Sequence, residues 1–204
     1  MTVNNLVKQS LAGLRVLLVL TVLTGVLYPL AVWGVGRIPG LQANAEGSVI
    51  SQDGRAVGSS LIGVDPVAAD PANDPWFHTR PSALAKDPLG PGDPSSSLGS
   101  NKSAVNEDYD AVVAERRDAV AAREGVAPDQ VPADAVTASA SGLDPQISPA
   151  YADRQVERVA RVTGLSEDAV RALVADNTTG RGLGVLGDPA VNVLRLNLAV
   201  QAAK

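Results

Sequence analysis

A run of 21 residues without a charged side chain, from Val16 to Gly36, constrains this chain more than any other feature of its sequence. A helix needs about 20 apolar residues to cross the hydrocarbon core of a bilayer, so the run predicts a transmembrane helix over residues 16–36. Pro29 lies within it, where the missing backbone donor is expected to kink the helix. The span divides the chain into a short N-terminus, residues 1–15, and one larger domain, residues 37–204.

The charges that flank this span predict its orientation. Lys8 and Arg15 precede it, Arg37 follows it, and the first acidic residue is Glu46. Because basic residues are enriched on the cytoplasmic side of membrane helices, we expect a cytoplasmic N-terminus and an extracytoplasmic domain. The sequence therefore predicts a single-pass protein of the cell membrane.

A cleaved signal peptide is the alternative, since Ala43-Asn44-Ala45 has the small-x-small form that signal peptidases accept. The apolar core of a signal peptide has only about 7 to 15 residues, so the length of the run favours a membrane span. Cleavage after Ala45 would instead release a secreted protein, and a secreted enzyme is the function that this alternative leaves open.

The composition limits what the domain can bind. The formal net charge is -5, and nucleic-acid backbones need Lys and Arg, so we exclude a nucleic-acid partner. The chain has no cysteine and a single histidine, His78. Disulfides and thiolate metal sites are therefore excluded, and one histidine cannot form an ordinary zinc site.

The first part of the domain is predicted to be a hairpin followed by a long loop. Residues 48–64 hold two β-favouring runs around Asp53-Gly54, a dipeptide typical of tight hairpin turns. Residues 65–97 carry seven of the 14 prolines among many Asp, Gly and Ser residues, a composition that sustains neither helix nor strand. We interpret this stretch as a loop.

Two of the six aromatic residues lie in that loop, at Trp76 and Phe77, close to His78 and Arg80. One interpretation is a surface that docks a partner or a ligand. The other is that Trp76 and Phe77 attach the loop to the domain, and the sequence leaves both open.

Regular elements are predicted for the remainder of the domain from apolar periodicity and from capping residues. They are a helix over 104–123 capped by Ser103 and ended by Gly125, a short strand near Val136, a helix over 149–163 after Ser148, a helix from Ser166 to Asp176, and a strand over 191–200. Together they predict an α+β fold, in which a single N-terminal transmembrane helix is followed by a small β-sheet and about three helices.

Residues 182–187 match G-x-G-x-x-G, the phosphate-binding fingerprint of dinucleotide folds. That fingerprint follows a strand and opens a helix, whereas here a predicted helix precedes it and a predicted strand follows. We therefore interpret residues 180–187 as a flexible connection and expect no dinucleotide there.

The segment TASASGLDPQISPA, residues 137–150, has the composition of either a substrate-binding loop or a structured turn. Ser139 and Asp144 could orient a substrate, but Ser and Asp also bond to backbone groups in turns, and Gly142 supplies an unusual dihedral. The sequence shows no base, nucleophile or metal cluster to accompany them. The turn is favoured, and we assign no catalytic, cofactor-binding or metal-binding residue.

Several short segments occur in unbroken order between about residue 11 and residue 200. They are LTG (23–25), LYPL (27–30), DG (53–54), GSSLIG (58–63), RPS (80–82), GSN (99–101), TASASGLDPQISP (137–149), GR (180–181) and DPAVNVLRLNLA (188–199). In these segments the chain resembles the KdpC family, the C chain of the bacterial potassium-transporting P-type ATPase. The resemblance also leads us to expect a glutamine where this chain has Val64 and a shorter stretch than residues 65–75, so a role of that glutamine is not expected here.

The resemblance implies a non-catalytic accessory subunit of a high-affinity potassium uptake complex. Its partners would be a channel-like potassium-binding subunit and a P-type subunit that hydrolyses ATP. Family members are described as stabilising the assembly and raising the ATP affinity of the hydrolysing subunit, so ATP would be met only through the complex. The predicted topology fits a cap over the outer potassium entrance better than contact with cytoplasmic ATP.

Six residues of the loop and the turn are candidate contacts with these partners. They are Trp76, Phe77, Arg80, Ser139, Gly142 and Asp144. The alternative function is a free-standing, membrane-anchored binding or adaptor domain without a role in transport.

Overall fold

The structure, a computed structural model, describes residues 3–103 and 105–204. It confirms the α+β class. Two compact units are distinguished, and the second begins at Ile50. The helices of the described residues are α1 Val3–Gly36, α2 Gln42–Ala45, α3 Glu107–Glu124, α4 Pro149–Thr163, α5 Glu167–Asp176 and α6 Val193–Ala202. The strands are β1 Val49–Gln52, β2 Arg55–Ser59, β3 Gln146–Ile147, β4 Thr178–Thr179 and β5 Ala190–Asn192.

Helix α1 is 34 residues long and apolar enough to cross a membrane. It contains a π-helical turn, Leu23–Leu27, which ends two residues before Pro29. Proline has no N–H to donate to the carbonyl one turn earlier, and a wider turn is one way in which a helix accommodates such a defect. At the C-terminal end, the Arg37 guanidinium lies 5.2 Å from the centre of the Trp33 ring and 2.9 Å from Glu46.

The predicted hairpin is confirmed as the antiparallel pair of β1 and β2. Its turn is formed by Asp53 and Gly54, with φ angles of 51° and 75°. Positive φ at both central residues is the geometry that Asp-Gly sequences favour between strands.

A second sheet of three short antiparallel strands has the order β3-β5-β4. The central strand β5 pairs with β3 through Val191 and Ile147, and with β4 through Val191 and Thr178. Val191 and Ile147 are buried. The sheet therefore forms one wall of the core, and α4 and α6 supply much of the rest.

The three central helices are confirmed, with one displaced start. Ser148 caps α4 by accepting from the Tyr151 N–H (3.0 Å), and Ser166 caps α5 in the same manner. Helix α3 begins at Glu107 rather than near the predicted start at residue 104, because the cap is Asn106 and not Ser103; Ala104 itself lies outside the described residues.

Two predicted strands are wrong. Residues near Val136 follow a 3-10 turn, Ala133–Ala135, and a strand occurs instead at β3. The segment 191–200 has strand geometry only to Asn192, whose side chain caps α6 by accepting from the Arg195 N–H (3.1 Å). Alternating leucines suggested a strand there, but the buried residues of α6 follow the spacing of a helix: Val193, Leu196, Asn197 and Val200.

Candidate functional site

The long loop of residues 65–97 has the predicted irregular backbone, with a 3-10 turn at Pro71–Asn73, but it is packed into the domain. Phe77 is fully buried in the core. Its N–H donates to the Asn197 side-chain oxygen (2.8 Å), and its carbonyl accepts from the Asn197 amide nitrogen (2.9 Å). The Asn197 side chain of α6 thus pairs with the backbone of Phe77 in the way that a neighbouring strand would.

The next residue is held in the same way from α4. The His78 N–H donates to the Gln155 carbonyl oxygen (2.8 Å), and the Gln155 amide donates to the His78 carbonyl (3.3 Å). The His78 ring lies between two carboxylates, with Nε2 2.7 Å from Asp74 and Nδ1 3.1 Å from Asp65. Each ring nitrogen of His78 therefore faces a carboxylate, and the ring joins Asp74 to Asp65 within the loop.

Arg158 of α4 completes the attachment of the loop. Its Nη1 donates to the carbonyls of Asp74 (2.8 Å) and Trp76 (2.9 Å), and its Nε donates to Glu124 (2.9 Å). Both Arg158 and Glu124 are buried. A buried guanidinium is stable in such a position when its donors are satisfied by a carboxylate and carbonyls.

Burial and neighbouring charges shift the pKa values of three groups in this cluster, which also includes Arg123, a donor to Glu124 (2.6 Å) and to the Tyr151 hydroxyl (2.8 Å). Burial acts to raise the pKa of Asp74, but His78, the Trp76 N–H and Arg158 outweigh it, so the pKa lies below the ordinary 3.8. Burial acts to lower the pKa of Arg123, but Tyr151 and Glu124 outweigh it and the net shift is upward. Burial raises the pKa of Tyr151, and Arg123 opposes only part of that shift.

A second arginine, Arg116 of α3, holds the far side of the loop. It donates to the carbonyls of Pro88 (3.2 Å), Ser82 (3.1 Å) and Val136 (3.4 Å). Burial lowers its pKa. The loop is therefore held from α3, α4 and α6 by side chains that bond to its backbone.

The segment 137–150 forms the predicted structured turn. The buried Ser139 hydroxyl accepts from the Gly142 N–H (2.9 Å), and Gly142 has a φ of 70°. Asp144 accepts from the Gln146 N–H (3.0 Å) and lies 3.4 Å from Arg80. Arg80 also donates to the carbonyls of residues 137 and 138, so the turn and the loop form one junction.

Close backbone approaches at this junction require glycine. A Cβ added at Gly63 would lie 2.7 Å from the Asp144 carbonyl carbon, and one added at Gly99 would lie 2.7 Å from the Ala140 carbonyl oxygen. The cleft lined by Gly63, Arg80 and Gly142 encloses about 10 Å³, which is room for about one water molecule. The junction is a packed joint and not a substrate pocket.

The six candidate contact residues fall into two groups. Phe77 and Ser139 are buried, so a partner would not reach their side chains. Trp76, Arg80, Gly142 and Asp144 are partly exposed, and all but Trp76 belong to the junction.

The sequence did not reveal the residues that hold the loop. Gln155 and Arg158 carry no motif, and the alternating pattern around Asn197 predicts a strand. One feature of the sequence could have indicated their role. Gln155 and Arg158 lie on the apolar face of α4, beside Val156 and Val159. Long polar side chains are rare on such a face unless they have partners. No group of three His, Cys, Asp or Glu side chains within the described ranges is arranged to hold a metal ion.

Comparison with known proteins finds similarity along nearly the whole chain. The family described as "KdpC: K+-transporting ATPase, c chain" matches residues 10–202. A protein named "Potassium-transporting ATPase KdpC subunit" from Kineococcus radiotolerans is 50% identical over 204 residues, which cover 100% of this chain and 98% of the relative. Proteins of the same name from Sorangium cellulosum (48% identity, 94% and 96% coverage) and Streptomyces avermitilis (45% identity, 98% and 96% coverage) are also similar. This chain belongs to the KdpC family.

Proposed function

We propose that the chain is a non-catalytic accessory subunit of an ATP-driven, high-affinity potassium uptake complex. The observation that carries this proposal is similarity to proteins named KdpC subunit of a potassium-transporting ATPase over essentially the whole chain. Its partners in the proposal are a channel-like potassium-binding subunit and a P-type subunit that hydrolyses ATP. Helix α1 anchors it in the cell membrane beside them.

The proposed role of the domain is mechanical and electrostatic. A loop held from three helices gives a rigid body, which is what a subunit that stabilises an assembly must present to its partners. Residues 50–204 carry 14 Lys and Arg against 21 Asp and Glu, a net charge of -7. Such a field attracts cations within about 8 Å at physiological ionic strength, which supports a cap over the outer potassium entrance.

In this proposal the N-terminus is cytoplasmic and the domain is extracytoplasmic. The chain has no cysteine, so single-cysteine variants can test the orientation with a membrane-impermeant maleimide. Asp168→Cys, at an exposed side chain, should be labelled on intact cells, and Gln9→Cys only after permeabilisation. Labelling of Gln9→Cys but not of Asp168→Cys on intact cells would contradict the orientation. The domain would then be cytoplasmic and could contact ATP directly.

With this orientation, we propose that any effect on the ATP affinity of the hydrolysing subunit is transmitted through the assembly and not by nucleotide binding to this chain. A photoreactive ATP analogue applied to the solubilised complex should label the P-type subunit and leave this chain unlabelled. Labelling within residues 50–204 would contradict this part of the proposal.

Co-purification is the main test of the assignment. A tagged full-length chain, solubilised in mild detergent from a strain expressing the complex, should retain a multi-span subunit and a P-type ATPase. Recovery of the chain alone would favour the alternative, a free-standing membrane-anchored adaptor. The candidate contact Asp144 can be tested in the same experiment, since Asp144→Ala should reduce retention; normal assembly and pumping would remove it from the interface.

A further inference from the structure

The connection between β4 and β5 forms a small, ordered projection, which we call the apolar tip (residues 181–188). Gly182 and Leu186 form an antiparallel bridge in which each N–H donates to the other carbonyl at 2.8 Å. The Val185 N–H donates to the Gly182 carbonyl (3.1 Å) and closes the turn. At the base of the tip, Arg181 lies 3.0 Å from Asp188. The sequence suggested a flexible connection, but the backbone of the tip is hydrogen-bonded and continues into the central strand of the sheet.

Between the charged pair at its base, the tip carries three aliphatic side chains that are exposed to solvent. Leu183 is 93% exposed, Val185 74% and Leu186 62%. Leu183 has the highest exposed fraction among the large apolar residues of 3–103 and 105–204. Three strongly exposed aliphatic side chains within four consecutive residues form a local apolar surface of the kind that marks interaction sites.

The backbone at Leu183 strengthens this conclusion. Leu183 and Gly184 occupy the two central positions of the turn, with φ angles of 52° and 79°. Asn-Gly is the favoured pair for such a turn, because asparagine tolerates positive φ far better than leucine does. Leu183 adopts an unfavourable backbone angle and makes little contact within its own domain, so its side chain does not stabilise the domain. A contact with another molecule would explain why leucine occupies this position.

The chemistry of the tip selects a protein over a lipid surface. Residues 182–187 include no aromatic or basic side chain, whereas segments that lie in a bilayer interface are rich in Trp, Tyr, Lys and Arg. The net charge of -7 over residues 50–204 also opposes approach to anionic headgroups. An aliphatic tip with a charged pair at its base matches an apolar pocket with a polar rim, which is the usual anatomy of a protein interface.

We infer that the apolar tip docks Leu183, Val185 and Leu186 into an aliphatic pocket on the extracytoplasmic face of a neighbouring protein subunit of the complex. This inference rests on the proposed function. Three side chains are too few for a stable interface alone. The membrane anchor keeps the domain close to its partner, and such tethering raises the effective concentration enough for a small contact to be occupied.

The test is Leu183→Asn in the tagged full-length chain, expressed with the other subunits and purified in detergent. Asparagine suits the turn, so the thermal midpoint of the isolated variant should equal or exceed that of the wild type. Retention of the P-type and multi-span subunits should nevertheless fall by about tenfold, as expected for the loss of one buried leucine side chain. Leu183→Met, which keeps an apolar side chain, should restore most of the retention.

Val67→Asn is the matched control, because Val67 is also a strongly exposed aliphatic residue of the second unit but lies outside the tip. This variant should leave retention unchanged. Equal retention by Leu183→Asn and the wild type would overturn the inference and leave the proposed function intact. A defect of Leu183→Asn that appears in anionic liposomes but not in detergent would overturn it in favour of a lipid surface. Failure of the wild type to retain any subunit would overturn both.

Discussion

Arg158 and Glu124 form a buried ion pair between α4 and α3, with two nitrogen-to-oxygen distances of 2.9 and 3.2 Å. The same guanidinium holds the loop through the carbonyls of Asp74 and Trp76. One side chain therefore joins two helices and the loop, and its loss affects all three.

Glu124→Gln should lower the free energy of unfolding of the domain by about 3 to 5 kcal/mol, because Arg158 and Arg123 both lose the buried carboxylate that they share. Among the described residues, Arg158 then keeps only Asp74, at 3.7 Å, as a counter-charge. Urea denaturation of the full-length chain in detergent, followed by circular dichroism, measures this change. Glu157→Gln, at an exposed position of α4, should change the free energy by less than about 0.5 kcal/mol. Similar values for the two variants would show that the ion pair contributes little.

Asp74 makes the stability of the domain dependent on pH in the acid range. Its pKa is lower in the folded chain than the ordinary 3.8, so its contribution is fully present above about pH 4 and is lost as pH falls through the folded value. Asp74→Asn should therefore be less stable than the wild type at pH 5 to 7, and the difference should shrink below pH 3.8. A difference that is constant from pH 7 to pH 2.5 would contradict this assignment.

Asn197→Leu should release the loop from α6. The substitution keeps an apolar shape but leaves the buried N–H and carbonyl of Phe77 without partners, at a cost of about 2 to 4 kcal/mol. Hydrogen exchange should accelerate first over residues 74–80, before the core of α4. The control Asn73→Ala removes an exposed side chain of the same loop, and it should leave exchange at Phe77 unchanged.

Gly63→Ala should loosen the junction between the loop and the turn at 137–150. The added Cβ would meet backbone atoms of Asp144 and Pro145, which cannot rotate away, so we expect a loss of about 1 to 3 kcal/mol. Gly180→Ala is the matched control, because an added Cβ there meets nothing within 4 Å. Equal thermal midpoints for the two variants would show that the joint tolerates displacement.

If the domain caps the potassium entrance, its negative charge should assist potassium capture. Replacing the exposed residues Asp118, Asp129 and Asp176 with asparagine should raise the external potassium needed for half-maximal uptake by roughly twofold at low ionic strength. High salt should remove the difference, because screening shortens the range of the field. Arg117→Gln should act in the opposite direction, and an unchanged value for all variants would contradict the electrostatic role.

Local signals in the sequence predicted the helices and the hairpin, whereas distant contacts decided the remainder. Ser148, Ser166 and Gly164 act within a few residues of themselves, so α4 and α5 were found from the sequence. The segment after Asn192 contains leucines that satisfy an alternating pattern and a helical pattern together. The helix α6 forms there because Asn192 caps it and because Asn197 is buried against the loop. The spacing of apolar residues in the sequence reveals neither contact.

The candidate site was only partly predictable for the same reason. The turn at 137–150 was recognised from its composition, and so was the irregular loop. The attachment of the loop through Gln155, Arg158 and Asn197 depends on contacts across about 77 to 120 residues. The place of Gln155 and Arg158 on the apolar face of α4 marks them as unusual, but nothing in the neighbouring sequence identifies the loop residues that they bind.

The bond between Phe77 and Asn197 has a kinetic consequence as well, because its partners are separated by 120 positions along the chain. Contacts of such long range form late, since closing a long segment costs conformational entropy before any bond can repay it. The hairpin and the helices can form while the proline-rich stretch is still extended, and the stretch can complete its attachment at Phe77 only after α6 has docked. During assembly of a membrane complex, this order would leave the stretch open to proteases and chaperones until the last helix is in place.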